Sequence, residues 1–203
     1  FNVAAGSSDP VYAAAYQGAN LIVAGDFGFF GGTARKRIAR LLPNGTLDPS
    51  FNTTAGVNAG VDNAIYAVAV DSVGRILIGG IFTTVDGQPR RGVARLDANG
   101  DLDPGFVADL NVNGVVFAIA VDASDNAFIA GEFSSVGVTA LTRVAKLSNL
   151  NGAPDGAFVI TPNLTVNALA IQADGKILLG GAFSLVNTAP LEGLVRVDAA
   201  GVL

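Results

Sequence analysis

The chain has 203 residues, half of them apolar, enough for a large core. It contains no Cys, His, Met or Trp, so thiol nucleophiles, imidazole bases and the usual zinc or copper ligand sets are excluded. Its net charge of −5, from 17 acidic and 12 basic residues, argues against a nucleic-acid partner. The longest apolar run, Val115 to Val121, falls far short of the about 20 residues of a membrane-spanning helix, so membrane insertion of this segment is not expected. Without a Met, and with no visible signal peptide or lipidation motif, the chain reads as an excerpt of a longer or processed protein.

One pattern recurs four times. Leu21-Ile22-Val23-Ala24-Gly25-Asp26-Phe27 returns as Ile76-Leu77-Ile78-Gly79-Gly80-Ile81-Phe82, as Phe128-Ile129-Ala130-Gly131-Glu132-Phe133 and as Leu178-Leu179-Gly180-Gly181-Ala182-Phe183. A basic residue follows each Phe by 13 positions: Arg40, Arg95, Lys146 and Arg196. A period of this size points to a propeller or a stacked array. Cut after the Asp-Pro-x motif, the single repeat domain 1–203 divides into units 1–50, 51–105, 106–157 and 158–203.

Within a unit, the first strand alternates Ala with larger apolar residues, as in Ala67-Val68-Ala69-Val70, Ala118-Ile119-Ala120-Val121 and Ala168-Leu169-Ala170-Ile171, with a weaker Ala13-Ala14-Ala15-Tyr16. Period-two alternation marks a β-strand, and its small Ala face suits an innermost position where sheets converge. Turns such as Asp71-Ser72-Val73-Gly74 lead into the second strand, which is apolar on both faces and is expected to be buried between sheets. The third strand carries the basic residue, as in Val93-Ala94-Arg95-Leu96. An Asn44-Gly45 or Asn99-Gly100 hairpin turn precedes a short fourth strand through Leu47-Asp48-Pro49-Ser50-Phe51 or Leu102-Asp103-Pro104-Gly105-Phe106. Proline there suits an edge strand. The expected fold is all-β: a β-propeller of four tandem four-stranded antiparallel blades, as a complete four-bladed ring or as part of a larger propeller. Phe27, Phe82, Phe133 and Phe183 should be buried between adjacent sheets.

Asp174 to Phe183 (Asp-Gly-Lys-Ile-Leu-Leu-Gly-Gly-Ala-Phe), Ala94 to Phe106 (Ala-Arg-Leu-Asp-x-Asn-Gly-x-Leu-Asp-Pro-x-Phe) and their echoes resemble the delta-sixty repeats of large bacterial secreted or surface proteins. The resemblance covers essentially the whole chain and is weakest in the first unit, at Gln17-Gly18-Ala19-Asn20 and Phe29-Phe30-Gly31-Gly32. It implies a β-propeller, an extracellular or cell-surface location and a multi-repeat parent. It carries over no catalytic residue.

Several residue sets invite a chemical reading. Asp97, Asn99, Asp101 and Asp103 surround Gly100, but an EF-hand loop needs its Gly sixth and a bidentate Glu twelfth. Here Gly100 is fourth and Ala108 is twelfth, so a hairpin turn is expected instead of a metal site. Arg40, Arg95, Lys146 and Arg196 read as structural partners of acids such as Asp48, Asp103 and Asp155. Gly79-Gly80 and Gly180-Gly181 form no phosphate loop, since no Gly-Lys-Ser/Thr follows. Only Glu132 and Glu192 are Glu, little support for the paired carboxylates of a glycosidase. No cofactor is expected.

The units differ mainly in two places. The link from the outer Phe to the first inner Ala is 12 (Phe1 to Ala13), 16 (Phe51 to Ala67), 12 (Phe106 to Ala118) or 10 residues (Phe158 to Ala168). The loops between second and third strands vary in sequence and emerge on the same face as those links. A rigid frame with one variable loop face is how binding scaffolds are built. The candidate contacts are Phe29, Arg35 and Lys36 of the first loop, Asn52, Thr53, Asp62 and Asn63 of the longest link, and Asp86, Gln88 and Arg90 of the second loop. Phe30 aligns with Val85, Val136 and Val186 and should be buried. Phe29 aligns with Thr84, Ser135 and Leu185 and should be exposed, fit to stack on a sugar or an apolar partner. The functional expectation is a non-catalytic structural, adhesive or binding module for glycan or another surface protein. A propeller-type lyase or hydrolase is the alternative.

Overall fold

The structure, a computed structural model, describes residues 6–52, 60–106 and 111–203. Every regular element among them is a strand. In the first unit β1 (Val11–Gln17) and β2 (Asn20–Gly25) form a hairpin, β3 (Phe29–Phe30) and β4 (Thr33–Ala34) a two-residue hairpin, and β5 (Ile38–Leu41) returns beside β2. The second unit repeats this with β6 (Ile65–Val70), β7 (Ile76–Gly80), β8 (Thr84–Val85), β9 (Gln88–Pro89) and β10 (Val93–Leu96). The third has β11 (Val115–Val121), β12 (Ala127–Glu132) and β13 (Val144–Leu147). The fourth has β14 (Val166–Ile171), β15 (Ile177–Gly181), β16 (Leu185–Val186), β17 (Ala189–Pro190) and β18 (Leu194–Val197).

Each main sheet has three antiparallel strands with the Ile/Leu-rich strand in the middle. The expected fourth strand is reduced to a single bridge: Leu41 to Leu47, Leu96 to Leu102 and Leu147 to Pro154. The Asp-Pro motif explains the correction. Asp48 Oδ1 accepts the N–H and hydroxyl of Ser50, and Asp103 Oδ1 accepts the N–H of Gly105. These turns divert the chain before a second bridge can form. The loops between second and third strands are more regular than expected. Hairpins β3–β4, β8–β9 and β16–β17 each gain a third partner from the preceding link, at Ser7, Val61 and Pro162.

Successive sheets stack face to face. Ile22, Ala24 and Ile38 of the first pack on Ile76, Ile78, Ala94 and Leu96 of the second. Leu77 and Val93 then meet Ala127, Ile129, Ala145 and Leu147, and Phe128, Ala130 and Val144 meet Ile177, Leu179, Val195 and Val197. The first strands lie next to one another, β1 on β6, β6 on β11 and β11 on β14, which makes them the inner strands. Phe27, Phe82, Phe133 and Phe183 are all buried, as are Phe51 and Phe106 of the Asp-Pro-x-Phe motifs and Phe158 of the corresponding Asp155-Gly156-Ala157-Phe158.

The arginines of the first two third strands clamp neighbouring units together. Arg40 Nε donates to Asp48 at 2.8 Å, its Nη1 reaches the Ala98 carbonyl of the next unit at 2.7 Å, and its guanidinium lies 4.8 Å from the Phe51 ring. Arg95 repeats the set with Asp103, the Asn149 carbonyl and Phe106. Lys146 is a looser version, 3.5 Å from Asp155. The turn ends of the units are further knit by Gln17 donating to Gly74 and Ala98, and by Ser72 donating to Asp125.

Candidate functional site

The links and the small hairpins share one rim, because each link delivers the chain to the start of a first strand just as the neighbouring second strand leaves for its hairpin. A polar side chain in the link pins each hairpin. Asp62 accepts the N–H groups of Thr83 and Thr84 and the Thr83 hydroxyl. Asn113 accepts the N–H groups of Ser134 and Ser135, and Asn163 those of Ser184 and Leu185. In the first unit Ser8 Oγ takes the N–H groups of Gly28 and Phe29. Such side-chain caps replace the ladder bonds that two-residue strands lack. Burial alone would raise the Asp62 carboxyl, but the Thr83 hydroxyl and the Thr84 and Thr83 N–H groups hold it below its ordinary value.

The ten expected contact residues fall into distinct settings. Phe29 is 55 % exposed, while Phe30 is buried against Phe27, as the alignment of the units implied. Arg35 is half-buried and folds back onto the Ala34 and Asp48 carbonyls. Lys36 and Asp62 come together in a shallow cleft of about 140 Å³ with Gly60, Val61, Thr84 and Gly87. Asp86 closes the back of that region, accepting the N–H groups of Gly60 and Leu102. Its burial outweighs these bonds and, with Asp101 nearby, raises its carboxyl above the ordinary value. Asn63 is exposed and accepts the Ala64 N–H, whereas Gln88 is simply exposed on β9. Asn52, with a φ of 51°, donates its N–H to the Asn99 carbonyl on the turn side of the second unit. Arg90 is 7 % exposed and bonds the Pro89 carbonyl. Thr53 lies outside the described residues. Asp62, Asp86, Asn52 and Arg90 thus serve the frame, and Phe29, Lys36, Asn63 and Gln88 present themselves at the surface.

Two rim features had no place among those ten. Every first strand slips by one residue near its start, between Val11 and Ala13, Ile65 and Ala67, Val116 and Ala118, and Val166 and Ala168. A bulge re-aims the extra side chain, here Tyr12, Tyr66, Phe117 and Asn167. The three aromatic rings form an arc across units, with centroids 5.2 Å and 5.7 Å apart, and none is buried. Tyr12 and Tyr66 pack on one another, yet stay accessible. The signal available was the recurring aliphatic-x-Ala at the head of the strand. The second feature is a cleft of about 220 Å³ lined by Asn113, Glu132, Phe133, Ser134 and Arg143. Arg143 holds a φ of 68° where the second and fourth units have Gly92 and Gly193, and Arg37 does the same at 71° while pairing with Asp26 at 3.1 Å.

The opposite end is less uniform than its short turns suggested. The longer turn of the third unit, with Leu150 exposed, borders a cleft of about 460 Å³ between Asn126, Lys146 and Asp155. Around Gly100, Asp97 accepts the N–H groups of Asn99 and Asp101, and Asp103 is engaged by Arg95. This is the hairpin turn the spacing implied.

Three segments, residues 20–51, 74–106 and 172–203, match a family described as a domain of unknown function (DUF5122), beta-propeller. Each runs from a second strand or the turn before it toward the Asp-Pro-x-Phe position. No curated protein matches the chain. Among solved structures, the extracellular domain of a candidate one-component system from B. thetaiotaomicron is similar over 90% of this chain, with a TM-score of 0.53 and 17% identity. The chain spans only 22% of that structure. A protein of unknown function from Bacteroides caccae is a weaker likeness, with a TM-score of 0.38 and 11% identity over 95% of this chain and 79% of the other. Stacked antiparallel sheets and the segment matches together make this a chain of β-propeller repeats.

Proposed function

We propose that the chain is a non-catalytic, ligand-binding module of a bacterial surface or secreted protein of the delta-sixty type, and that it takes glycan or a surface protein on the link-and-hairpin rim. The observation that carries this reading is the gathering of accessible aromatic side chains there. Tyr12, Tyr66 and Phe117 form the bulged arc, and Phe29 stands out from the first hairpin. Aromatic faces stack on sugars and on apolar protein groups, and amide and cationic neighbours such as Gln88, Asn63 and Lys36 supply orienting hydrogen bonds. The acids of the rim favour binding over catalysis, since Asp62 and Asp86 already accept backbone N–H groups. A location outside the cell follows from the delta-sixty resemblance and is in keeping with the extracellular neighbour.

With no Trp and only three Tyr, two of them in the arc, tyrosine fluorescence reports directly on the rim. A soluble-glycan panel titrated against the protein should find a ligand that perturbs this emission. Phe29→Ala and Arg35→Ala should weaken its binding, and Val73→Ser in the distal turn should leave it unchanged. Loss of binding from the Val73 change with both rim variants intact would show the wrong face had been chosen.

A further inference from the structure

The backbone entering the third strand is the same in all four units. The N–H groups of Arg37, Gly92, Arg143 and Gly193 donate to the carbonyls of Phe27, Phe82, Phe133 and Phe183, and their own carbonyls accept from Gly25, Gly80, Gly131 and Gly181. All four residues stand in the left-handed region, with φ of 71°, 75°, 68° and 69°. Glycine adopts that conformation without strain and arginine does not. Each of the two arginines is accompanied by an acid eleven residues earlier, Asp26 and Glu132, where the glycine units carry Ile81 and Ala182. Residues held in such a conformation collect at ligand sites.

In the first unit the pair is closed, with Arg37 Nε 3.1 Å from Asp26. In the third it is open. Arg143 uses Nη1 on the Phe133 carbonyl at 3.2 Å and makes no ion pair among the described residues, and Glu132 is exposed. The two side chains line the cleft of about 220 Å³ together with Asn113 and Ser134. Asn113 Nδ2 donates to Ser134 Oγ at 2.8 Å, which leaves the Ser134 hydroxyl proton available to the cleft. The cleft belongs to an internal unit, whose sheet is packed by the second unit on one face and the fourth on the other.

We propose that the Glu132–Arg143 cleft is a subsite for a single uncharged pyranose, gripped through two adjacent hydroxyl groups; this rests on the reading of the rim as a glycan-binding face. One cation and one anion leave the cleft neutral, so a ligand with a single charge would meet a like charge beside its partner. A hydroxyl donates and accepts at once. Adjacent sugar hydroxyls can therefore donate to the Glu132 carboxylate while accepting from the Arg143 guanidinium and the Asn113 amide. Hydrogen bonds to ionised groups are the stronger kind. A volume of about 220 Å³ lies below the about 300–1,000 Å³ of drug-sized sites, which suits one ring and not a chain. Phe117 bulges from β11, the strand whose Val115 pairs with Glu132, so the aromatic arc begins on the element that walls the cleft.

Arg143→Gly installs the residue that the second and fourth units already use, so it separates binding from folding. It should leave the melting temperature unchanged or raise it by up to about 4 °C. The probes are the methyl glycosides of glucose, galactose and mannose, with 2-methoxytetrahydropyran as a ring that lacks vicinal hydroxyls, all followed by saturation-transfer NMR. At least one glycoside should bind and the bare ring should not. Arg143→Gly and Glu132→Ala should each raise the dissociation constant of that glycoside at least tenfold, and Arg37→Gly should leave it unchanged. An oligosaccharide whose binding is weakened by Phe29→Ala but untouched by Arg143→Gly and Glu132→Ala would overturn the subsite alone. Failure of every saccharide to bind would remove the rim reading along with it. Binding of β-alanine but of no glycoside would overturn the proposal as well, by putting a zwitterion in place of the diol.

Discussion

Gly79 and Gly180 hold equivalent ladder positions, and replacing each with Ala separates the buried sheet face from the open one. At Gly79 the new methyl would collide with Val116 and Ile119 of the next unit. Ile119 Cδ1 is the end of a flexible chain, but Val116 is β-branched and stiff, so relief requires the two sheets to part slightly. Overpacking of this kind costs about 1–3 kcal/mol. At Gly180 the nearest atoms are at ordinary contact distance, and neither glycine has a positive φ. Gly180→Ala should therefore be neutral or stabilising by up to about 1 kcal/mol, through the lower entropy of the unfolded chain. In urea melts the Gly79 variant should lose roughly 1 M in midpoint at typical slopes, and the Gly180 variant none. The first and third units carry Ala24 and Ala130 at this position, and in the first the opposing residue is Val68. Ile119→Val should accordingly recover part of the Gly79→Ala loss in the double variant. Equal losses at the two glycines, or no loss at Gly79, would refute the stacking order.

Phe82→Ala should cost about 3–5 kcal/mol, since the ring is fully buried between the first and second units; a denaturant-melt loss below about 1 kcal/mol would contradict that placement. Acid sensitivity should come from the capping and clamping aspartates. Burial works against ionisation of Asp48 and Asp103, yet hydrogen bonds from Ser50 and Arg40, and from Arg95 and Gly105, hold both below the ordinary 3.8. Their contribution is fully present above the unfolded value of 3.8 and is lost as pH falls through the lower folded values. Asp48→Asn should flatten this acid limb in pH-dependent thermal melts. Asp86, raised by burial, acts in the opposite sense and withdraws stability as pH rises from 3.8 to its folded value.

The repeat, the order of three strands per unit and the buried Phe columns were legible because they rest on local signals: alternation, Gly and Asp turns, fixed spacing. Asp-Pro misled at the fourth strand. Proline was read as an edge-strand mark, whereas the preceding aspartate caps its own turn and ends the ladder after one bridge. The rim was legible as a place but not residue by residue. Asp62 looks like a surface acid in the sequence, and only the return of Thr83 and Thr84, some 21 positions on, makes it a cap. The bulged arc depends on a register slip that alternation alone does not show. The unfilled hollow at Gly180 is invisible in sequence, where it matches the filled one at Gly79.

The most direct test of the central claim is hydrogen-exchange footprinting of the chain with and without an oligosaccharide selected from the glycan panel. Binding at the rim predicts protection in residues 11–14, 26–37, 62–67 and 83–91, with the turns at 71–75, 122–126 and 172–176 unchanged. Protection confined to those turns, or to the cleft beside Lys146 and Asp155, would contradict it.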